Sequence, residues 1–416
     1  MARVAMFLAR SPGPPMTGRK AVINTAIEAL ARDGHEVNLF IVAEPGSAPH
    51  WASAATWLGA VPKTRVLWNA VVAAVGGERS LNEALFYSPR LLRMARDLRG
   101  AYDFAFADTL RMAPYASALG VPWHLDLDDL FSRRYERFLS TPGELSANLV
   151  LGYARDSVPA PARALPPRVL RQVLARESAR LARREVYWAR RATTVSLVSP
   201  QEAEDFSRIA ARPVLSLPMS VPIPASPWRP GGPQPAQPAF LGGLDYKPNF
   251  DALLYYQQSI FPLLKALPGA PLLSHIGNAP AELRRKFRPD AVRFEGYVAD
   301  VASRLASAGS FLAPIVGGTG VKTKVLEAMA LGLPVLATPQ ALTGLRVEHG
   351  EHCFICERPP AFTDGMRFVR DAGAAQRMGM RAREYVRRHF SLDVLRARWR
   401  EVLAELARAR GSRCSS

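Results

Sequence analysis

The stretch with the greatest capacity for chemistry is residues 311–344, FLAPIVGGTGVKTKVLEAMALGLPVLATPQALTG. An apolar run of strand type leads into Gly317, Gly318, Thr319 and Gly320. A helix is predicted from near residue 321 to Gly332, with Pro334 leading into the next strand. Glycines between a strand end and a helix start let a ligand approach the backbone, and the N–H groups of a first helical turn attract an anion. A phosphate or sugar-phosphate site has this form, although the same turn also serves merely to reverse the chain. Lys322 falls in the predicted first turn, where the helix dipole disfavours a cation unless an anion binds nearby. Lys324 stands three residues before Glu327. That spacing gives either a surface ion pair worth a few tenths of a kcal/mol, or a carboxylate that accepts two ribose hydroxyls at roughly 1.5–3 kcal/mol each.

A second group of chemically capable residues lies in the first half. VPWHLDLDDLFSRRYERF, residues 121–138, places Asp126, Asp128 and Asp129 at a predicted strand end, with His124 before them and Arg133 and Arg134 after. Strand C-terminal ends are where open α/β sheets bind ligands. Three crowded carboxylates repel one another unless something cationic or hydroxylated meets them. Asp108 and Arg111 follow another strand in the same way, and Gly18, Arg19 and Lys20 precede the first helix. Cys353 and Cys356 would be half of a zinc site, but no second pair accompanies them, and their alternating run reads as a strand with core cysteines.

The elements that must position these residues are short apolar runs alternating with helical stretches along the whole chain, which implies parallel sheets with helices on both faces. Strands are predicted near residues 4, 37, 104, 124, 194 and 214, then near 240, 272, 292, 310, 335 and 353. Residues 220–239 contain seven prolines in twenty and read as an extended linker. The expected organisation is therefore an N-terminal domain over 1–219, that linker, a C-terminal domain over 240–390 and a terminal helix with its tail over 391–416. In the terminal helix Ser391 is the N-cap, and Leu395, Trp399, Val402 and Leu406 form a stripe that must bury, with the first domain as its expected partner.

The chain has 416 residues and a formal charge of +18, almost all of it from arginine, since lysine occurs at only seven positions. Hydrophobic residues are 48% and charged residues 22%, as in folded globular proteins, and the length fits two domains. No run is long enough to span a membrane, and the N-terminus reads as a buried strand rather than a leader. Three cysteines cannot build a disulfide framework, so a cytoplasmic protein is expected. An Arg-rich insertion at about 150–190 carries ten arginines from Arg155 to Arg191 against Asp156, Glu177 and Glu185. Its apolar side suits either an anionic membrane surface or ordinary packing. The charge alone would also admit a non-catalytic nucleic-acid binder, but no binding motif or aromatic stacking pattern supports one.

The string GGTGVKTKVLEAMALGLPVLAT resembles the donor-site motif of the retaining GT-B glycosyltransferases, specifically glycosyltransferase family 4, the glycosyl transferases group 1. FLGGLDYKPNFDALLYYQQSIFPLL from 240, LLSHIGNAP from 272 and VRFEGYVAD from 292 resemble the preceding units of the same domain, so the similarity covers most of residues 240–400. The resemblance implies two Rossmann-like domains facing across a cleft, with a UDP- or GDP-linked sugar as co-substrate on the second and no further cofactor or metal. It also implies a glycan, lipid-linked or specialised-metabolite acceptor on the first. Carried over by position, Glu327 would bind the ribose, Lys247 and Lys322 the diphosphate, and Gly318, Thr319 and Gly320 the sugar or phosphate. Tyr297 and Val298 would flank the base, and the loop holding Gly18 would border the donor phosphates. Asp126 or Asp128 would serve the acceptor hydroxyl, with Asp108, Arg111, His124, Asp129 and Arg133 on the acceptor side. Thr319 stands where many members carry a glutamate, and Gly243 where many carry an arginine, with Lys322 placed to compensate. An epimerase or phosphorylase on the same fold is the alternative, and polysaccharide or glycolipid assembly at the inner face of a bacterial membrane is the usual setting of such relatives.

Overall fold

The computed structural model describes residues 1–13, 18–140, 166–231, 234–269, 271–318 and 320–414. The chain divides into two compact units, one of residues 1–219 with 395–416 and the other of residues 220–394.

The first unit runs β1 (Arg3–Leu8), α1 (Gly18–Arg32), β2 (Glu36–Ile41), β3 (Ala54–Trp57), α2 (Lys63–Val75), α3 (Leu81–Ala84), α4 (Pro89–Asp97), β4 (Phe104–Asp108) and α5 (Thr109–Ala118). It continues with β5 (Trp123–Asp126), α6 (Phe131–Ser140), α7 (Pro167–Arg191), β6 (Thr194–Leu197), α8 (Pro200–Ala210) and β7 (Leu215–Ser216). Its seven parallel strands lie in the order β3-β2-β1-β4-β5-β6-β7. Strands such as VAMFL and FAFA are apolar throughout because helices cover both faces of the sheet. The chain leaves β1 in one direction and returns beside it in the other, so the crevice at the C-terminal ends of β1 and β4 is the topological switch point where such sheets hold ligands.

The second unit contains β8 (Gln234–Leu241), α9 (Lys247–Tyr255), α10 (Phe261–Leu264), β9 (Leu273–Ile276), α11 (Ala281–Arg284), β10 (Val292–Gly296) and α12 (Val301–Ala306). It continues with β11 (Ala308–Ala313), α13 (Thr323–Leu331), β12 (Val335–Ala337), β13 (Phe354–Ile355), α14 (Pro359–Phe368) and α15 (Ala372–Phe390). Its parallel sheet has the order β10-β9-β8-β11-β12-β13, which puts the switch point between β8 and β11. The stacked rings of Phe240 and Phe311 fill the centre of this sheet.

Two expectations are corrected. The proline-rich segment is not all linker, because β8 begins at Gln234 and takes in Pro235 and Pro238. A proline cannot donate to a ladder, and the pairing of β8 with β11 shifts register between Ala308 and Ser310, the partner of Pro238. Before the strand, Trp228 fastens the segment to the second unit, its N–H donating to Leu331 O at 2.7 Å and its indole Nε1 to Ala308 O at 2.8 Å.

The Arg-rich stretch, where it is described, is the core helix α7. Leu170, Leu174, Leu181 and Trp188 are buried, so its apolar side is spent on the first unit. Residues 141–165, the start of that expected insertion, lie outside the described residues. Two carboxylates on the inner side of α7 accept hydrogen bonds from the starts of other helices. Glu177 accepts from the Leu81 and Asn82 N–H groups at 3.0 Å, and Glu185 from the Ser132 N–H at 3.1 Å and hydroxyl at 2.5 Å.

The terminal helix α16 (Leu392–Cys414) starts at Ser391, whose hydroxyl accepts from the Val394 N–H. It belongs to the first unit from Leu395 onward. Leu395, Trp399, Val402 and Leu406 are all buried, Trp399 against Phe106 and His124. Arg396 and Arg400 both hold Asp33 at the end of α1.

Burial pushes Glu185 up to about 8 and Glu177 to about 7, with the hydrogen bonds they accept acting in the opposite direction. From the ordinary value of 4.5 up to those values the folded chain holds more protons than the unfolded one, so both groups make the fold less stable as pH rises through that window. Glu185→Gln removes one of them. Melting curves should show the variant gaining on the wild type between about pH 5 and about pH 8; a difference that stays constant with pH would contradict this account of Glu185.

Candidate functional site

In the second unit the site is built at the switch point. β8 leads into Gly242, whose φ of 136° is open to glycine, and a Cβ there would lie 2.5 Å from both Asn249 Nδ2 and Lys324 Nζ. The turn is pinned from three sides. Asn249 Nδ2 donates to Gly243 O at 2.7 Å, His275 Nε2 donates to Gly242 O at 2.7 Å, and Lys324 Nζ donates to Asn249 Oδ1. Lys324 also lies over the Phe240 ring at 4.7 Å.

Opposite this turn, the loop after β11 is held by Gln340 Nε2 donating to Gly318 O at 2.7 Å and by Lys322 Nζ donating to Gly320 O at 2.6 Å. Gly318 has a φ of 93°, and a Cβ there would press on Pro248 at 3.2 Å. Thr319 lies outside the described residues. Lys322 is the N-cap of α13 and not a residue of its first turn as expected; no side chain caps that helix start.

Glu327 is partly buried on α13 and makes no hydrogen bond among the described residues. Burial raises its pKa, with Lys324 acting against the rise. Burial lowers Lys324 to about 7, with Glu327 favouring its charge and Lys322 opposing it. The unit therefore holds, three residues apart on one helix, a lysine that gives up its proton near neutral pH and a carboxylate whose charge burial disfavours. Tyr246, Tyr297 and Val316 are exposed, and Val298 is half-buried next to Tyr297 in the chain. Lys247, the first residue of α9, is exposed and paired with Asp251 at 2.7 Å, a surface pair of little energetic weight that a phosphate can exchange.

In the first unit the switch point is built around Arg19, on the first turn of α1. Its Nη2 lies 2.7 Å from Asp108 Oδ1 and 3.0 Å from Asp126 Oδ2, and its Nη1 lies 3.3 Å from Asp128 Oδ1. Burial works against the charge of Arg19, but Asp126, Asp128 and Asp108 outweigh it and raise the pKa. Asp108 is wholly buried, while the Asp128 side chain is 24% exposed, so Asp128 is the member of this cluster open to a ligand. Burial, followed by the nearby Asp129 and Asp126, pushes Asp128 up to about 6 against the pull of Arg19.

The backbone here is strained. Asp128 has a φ of 66° and Thr109 one of 65°, and the Thr109 hydroxyl is buried without a hydrogen-bond partner. Such outliers cost of order 1–3 kcal/mol each and cluster at functional sites.

The other expected acceptor-side residues separate. Asp129 is paired with Arg134, and Arg133 with Asp205 at 3.1 Å. Arg111 donates to Asn82 Oδ1 and packs between Phe86 and Phe131. Gly18 is exposed at the start of α1. His124 does not reach the crevice. It is buried between the hydroxyls of Thr194 at 2.8 Å and Ser196 at 2.9 Å, stacks on Phe106, and is lowered to about 4 by burial. Its neighbours make it a core residue of β5, which corrects the acceptor-side expectation. Among the described residues no group of three His, Cys, Asp or Glu side chains is arranged to hold a metal, and the aspartates expected at the strand end surround a guanidinium. Cys353 and Cys356 are buried free thiols, and burial raises Cys353 to about 12.

Sequence reasoning overlooked Asn249, which anchors the glycine turn, and did not separate a surface ion pair of Lys324 with Glu327 from a role for both at the site. A signal for both was present in the strings YKPNF and KTKVLEA, where a polar residue precedes an apolar helical run beside a glycine turn.

Two parallel α/β sheets, each with its glycine or charged cluster at the switch point, are the GT-B arrangement of glycosyltransferases. Residues 237–370 match the family model described as Glycosyl transferases group 1. Among solved structures, HepE of Anabaena in complex with UDP is 15% identical with a TM-score of 0.63, over 96% of this chain and 99% of that one. Sucrose-phosphate synthase from Thermosynechococcus elongatus is 17% identical with a TM-score of 0.66, over 98% of this chain and 100% of that one. WaaG, a glycosyltransferase involved in lipopolysaccharide biosynthesis, is 16% identical with a TM-score of 0.59, over 96% and 99% respectively. A search of curated protein sequences gives no match.

The depressed lysine supplies a test that does not require turnover. An anion bound beside Lys324 favours its charged form, so binding above about pH 7 draws in a proton. At about pH 8 a nucleoside diphosphate is itself already ionised. If UDP, the nucleotide in the HepE structure, binds beside Lys324, its calorimetric titration in buffers of different ionisation enthalpy should show net proton uptake, reduced in Lys324→Met. Equal uptake by variant and wild type would place the titrating group elsewhere.

Proposed function

We propose that the protein is a retaining glycosyltransferase that moves a sugar from a nucleotide-sugar donor held by the second unit to a hydroxyl of an acceptor held by the first. The observation that carries this reading is the juxtaposition of Lys322 at the N-cap of α13 with Lys324 and Glu327 on that helix, directly after the glycine-rich segment that follows β11. The family match spans this whole segment. UDP is the favoured nucleotide because HepE was solved with it.

In this reading the Glu327 carboxylate accepts hydrogen bonds from the two ribose hydroxyls. Tyr297 and Val298 flank the base. Lys322, Lys247, a re-protonated Lys324 and the backbone amides before α13 receive the diphosphate and stabilise the charge that grows as the bond from the anomeric carbon to the phosphate oxygen breaks. Electrostatic stabilisation of that leaving group is the largest catalytic contribution. These cations supply the charge that a metal would otherwise bring. The acceptor hydroxyl attacks on the face the diphosphate leaves, and its proton passes to Asp128, the exposed member of the Arg19 cluster. Asp126 and Asp108 hold Arg19 and thereby position Asp128. A glycan or glycolipid hydroxyl, met at the inner face of a bacterial membrane, is the acceptor class this reading favours.

The test is an acceptor-dependent transfer assay with UDP-sugars. Glu327→Ala and Lys322→Ala should each lose most turnover, and Asp128→Asn should lower kcat by about 100-fold or more while still binding UDP. Because Asp128 must be ionised to take a proton, wild-type turnover should rise with pH through about 6, and that limb should vanish in Asp128→Asn. Wild-type kinetics in Glu327→Ala or Lys322→Ala would refute the donor site. Conversion of the donor with no acceptor present would point to an epimerase instead.

A further inference from the structure

Helix α2 displays an apolar face to solvent. Leu67 is 49% exposed, Trp68 62%, Val71 48%, Val72 44% and Val75 84%. At 3.6 residues per turn these five positions fall within an arc of about 140°. No other element among the described residues exposes so many large apolar side chains. The opposite side of the helix is fixed in the first unit: Val66 and Ala73 are buried, and Asn69 Nδ2 donates to Ala84 O at 2.8 Å and Tyr87 O at 2.7 Å. Arg180 of α7 donates to Ala73 O at the last turn. The outward face is thus a second apolar face, presented on a rigid helix whose core side is already used.

We infer that this face is a docking surface for a bilayer carrying anionic lipid. Trp68 lies within the arc, between Val75 and Val72, and tryptophan favours the boundary between headgroups and acyl chains. The helix has no acidic residue, and exposed Lys63 and Arg65 lie on the two flanks of the arc at its first turn. Beyond its last turn a groove is lined by Arg79, Arg96 and Arg99, with Glu78 as a carboxylate in the same wall. Arg79 lies over the Tyr87 ring at 3.7 Å and Arg99 donates to Ala118 O, so neither guanidinium is spent on a carboxylate there. Apolar side chains between cations match an anionic lipid surface, where each lysine or arginine adds attraction. A two-fold contact with another copy would instead bring these cations together. Thirteen residues of helix extend about 20 Å, too short to cross a bilayer, so α2 lies in the interface plane. This surface lies on α2 and not on α7, the Arg-rich helix, whose apolar side is buried.

The test is sedimentation of the full chain with vesicles of phosphatidylcholine alone and of phosphatidylcholine mixed with phosphatidylglycerol. The wild type should pellet with the mixed vesicles and be released by salt. Trp68→Glu combined with Val72→Glu should lower partitioning at least about tenfold. Lys63→Glu combined with Arg65→Glu should lower it on the mixed vesicles. All these positions are exposed, so melting temperatures should stay at the wild-type value, and a variant that melts early is replaced by Trp68→Ser. The inference is overturned if the wild type remains in the supernatant with the mixed vesicles, or if the Trp68→Glu, Val72→Glu variant pellets as the wild type does. It is also overturned if light scattering shows a dimer that this variant converts to monomer, which would give the face to a second copy.

Discussion

A partly buried lysine organises the second unit. Lys324 is held by one amide oxygen and one aromatic face in place of a full hydration shell, and it gives up much of its affinity for a proton as a result. Holding it there requires Gly242, since any side chain would displace the ammonium, and Asn249, which joins the lysine to the glycine turn. The two strand-to-helix loops at the switch point are thus tied to one charge. An anion arriving beside Lys324 would favour its charged form. A flexible surface lysine could not do the same, because water would already satisfy it.

The first unit solves a related problem with the opposite sign. Its switch point gathers carboxylates, and Arg19 keeps them together at a cost in desolvation that only close, well-oriented pairing offsets. The order of burial, from Asp108 inside through Asp126 to Asp128 outside, turns a symmetric-looking set of aspartates into a ranked one in which Asp128 meets solvent most. The strained backbone at Thr109 and Asp128 lies at this same edge, where a fold selected for stability alone would have relaxed it.

Much of this was legible in the sequence. The buried strands of both sheets announce themselves as short apolar runs, and the glycine loop before α13 lies where the pattern put it. β3 was missed because AATW is a half-exposed edge strand without an aliphatic run. The start of β8 was hidden by prolines, which a register shift in its pairing with β11 accommodates. Helix α7 shows the limit of periodicity: an arginine-rich face opposite a leucine face fits a membrane surface and a protein core equally well, and only the neighbours Leu81, Asn82 and Ser132 decide for the core. The same ambiguity hid α2, whose apolar residues look like core in sequence and lie in solvent in the fold. His124 was misplaced for a related reason. Its neighbours in sequence are the site aspartates, but alternation along β5 and the arrival of Trp399 put its ring in the core.

In the function proposed above, the second unit binds a nucleoside diphosphate through Glu327, Lys324 and the N-cap residue Lys322. The most direct measurement is thermal melting of the wild type and Glu327→Ala with UDP, GDP, ADP and dTDP, since a ligand that binds only the folded chain raises its melting temperature. The account predicts that one nucleotide, UDP in the first instance, raises the wild-type melting temperature and that Glu327→Ala loses most of the rise. No rise with any of the four, or an equal rise in the variant, would contradict it.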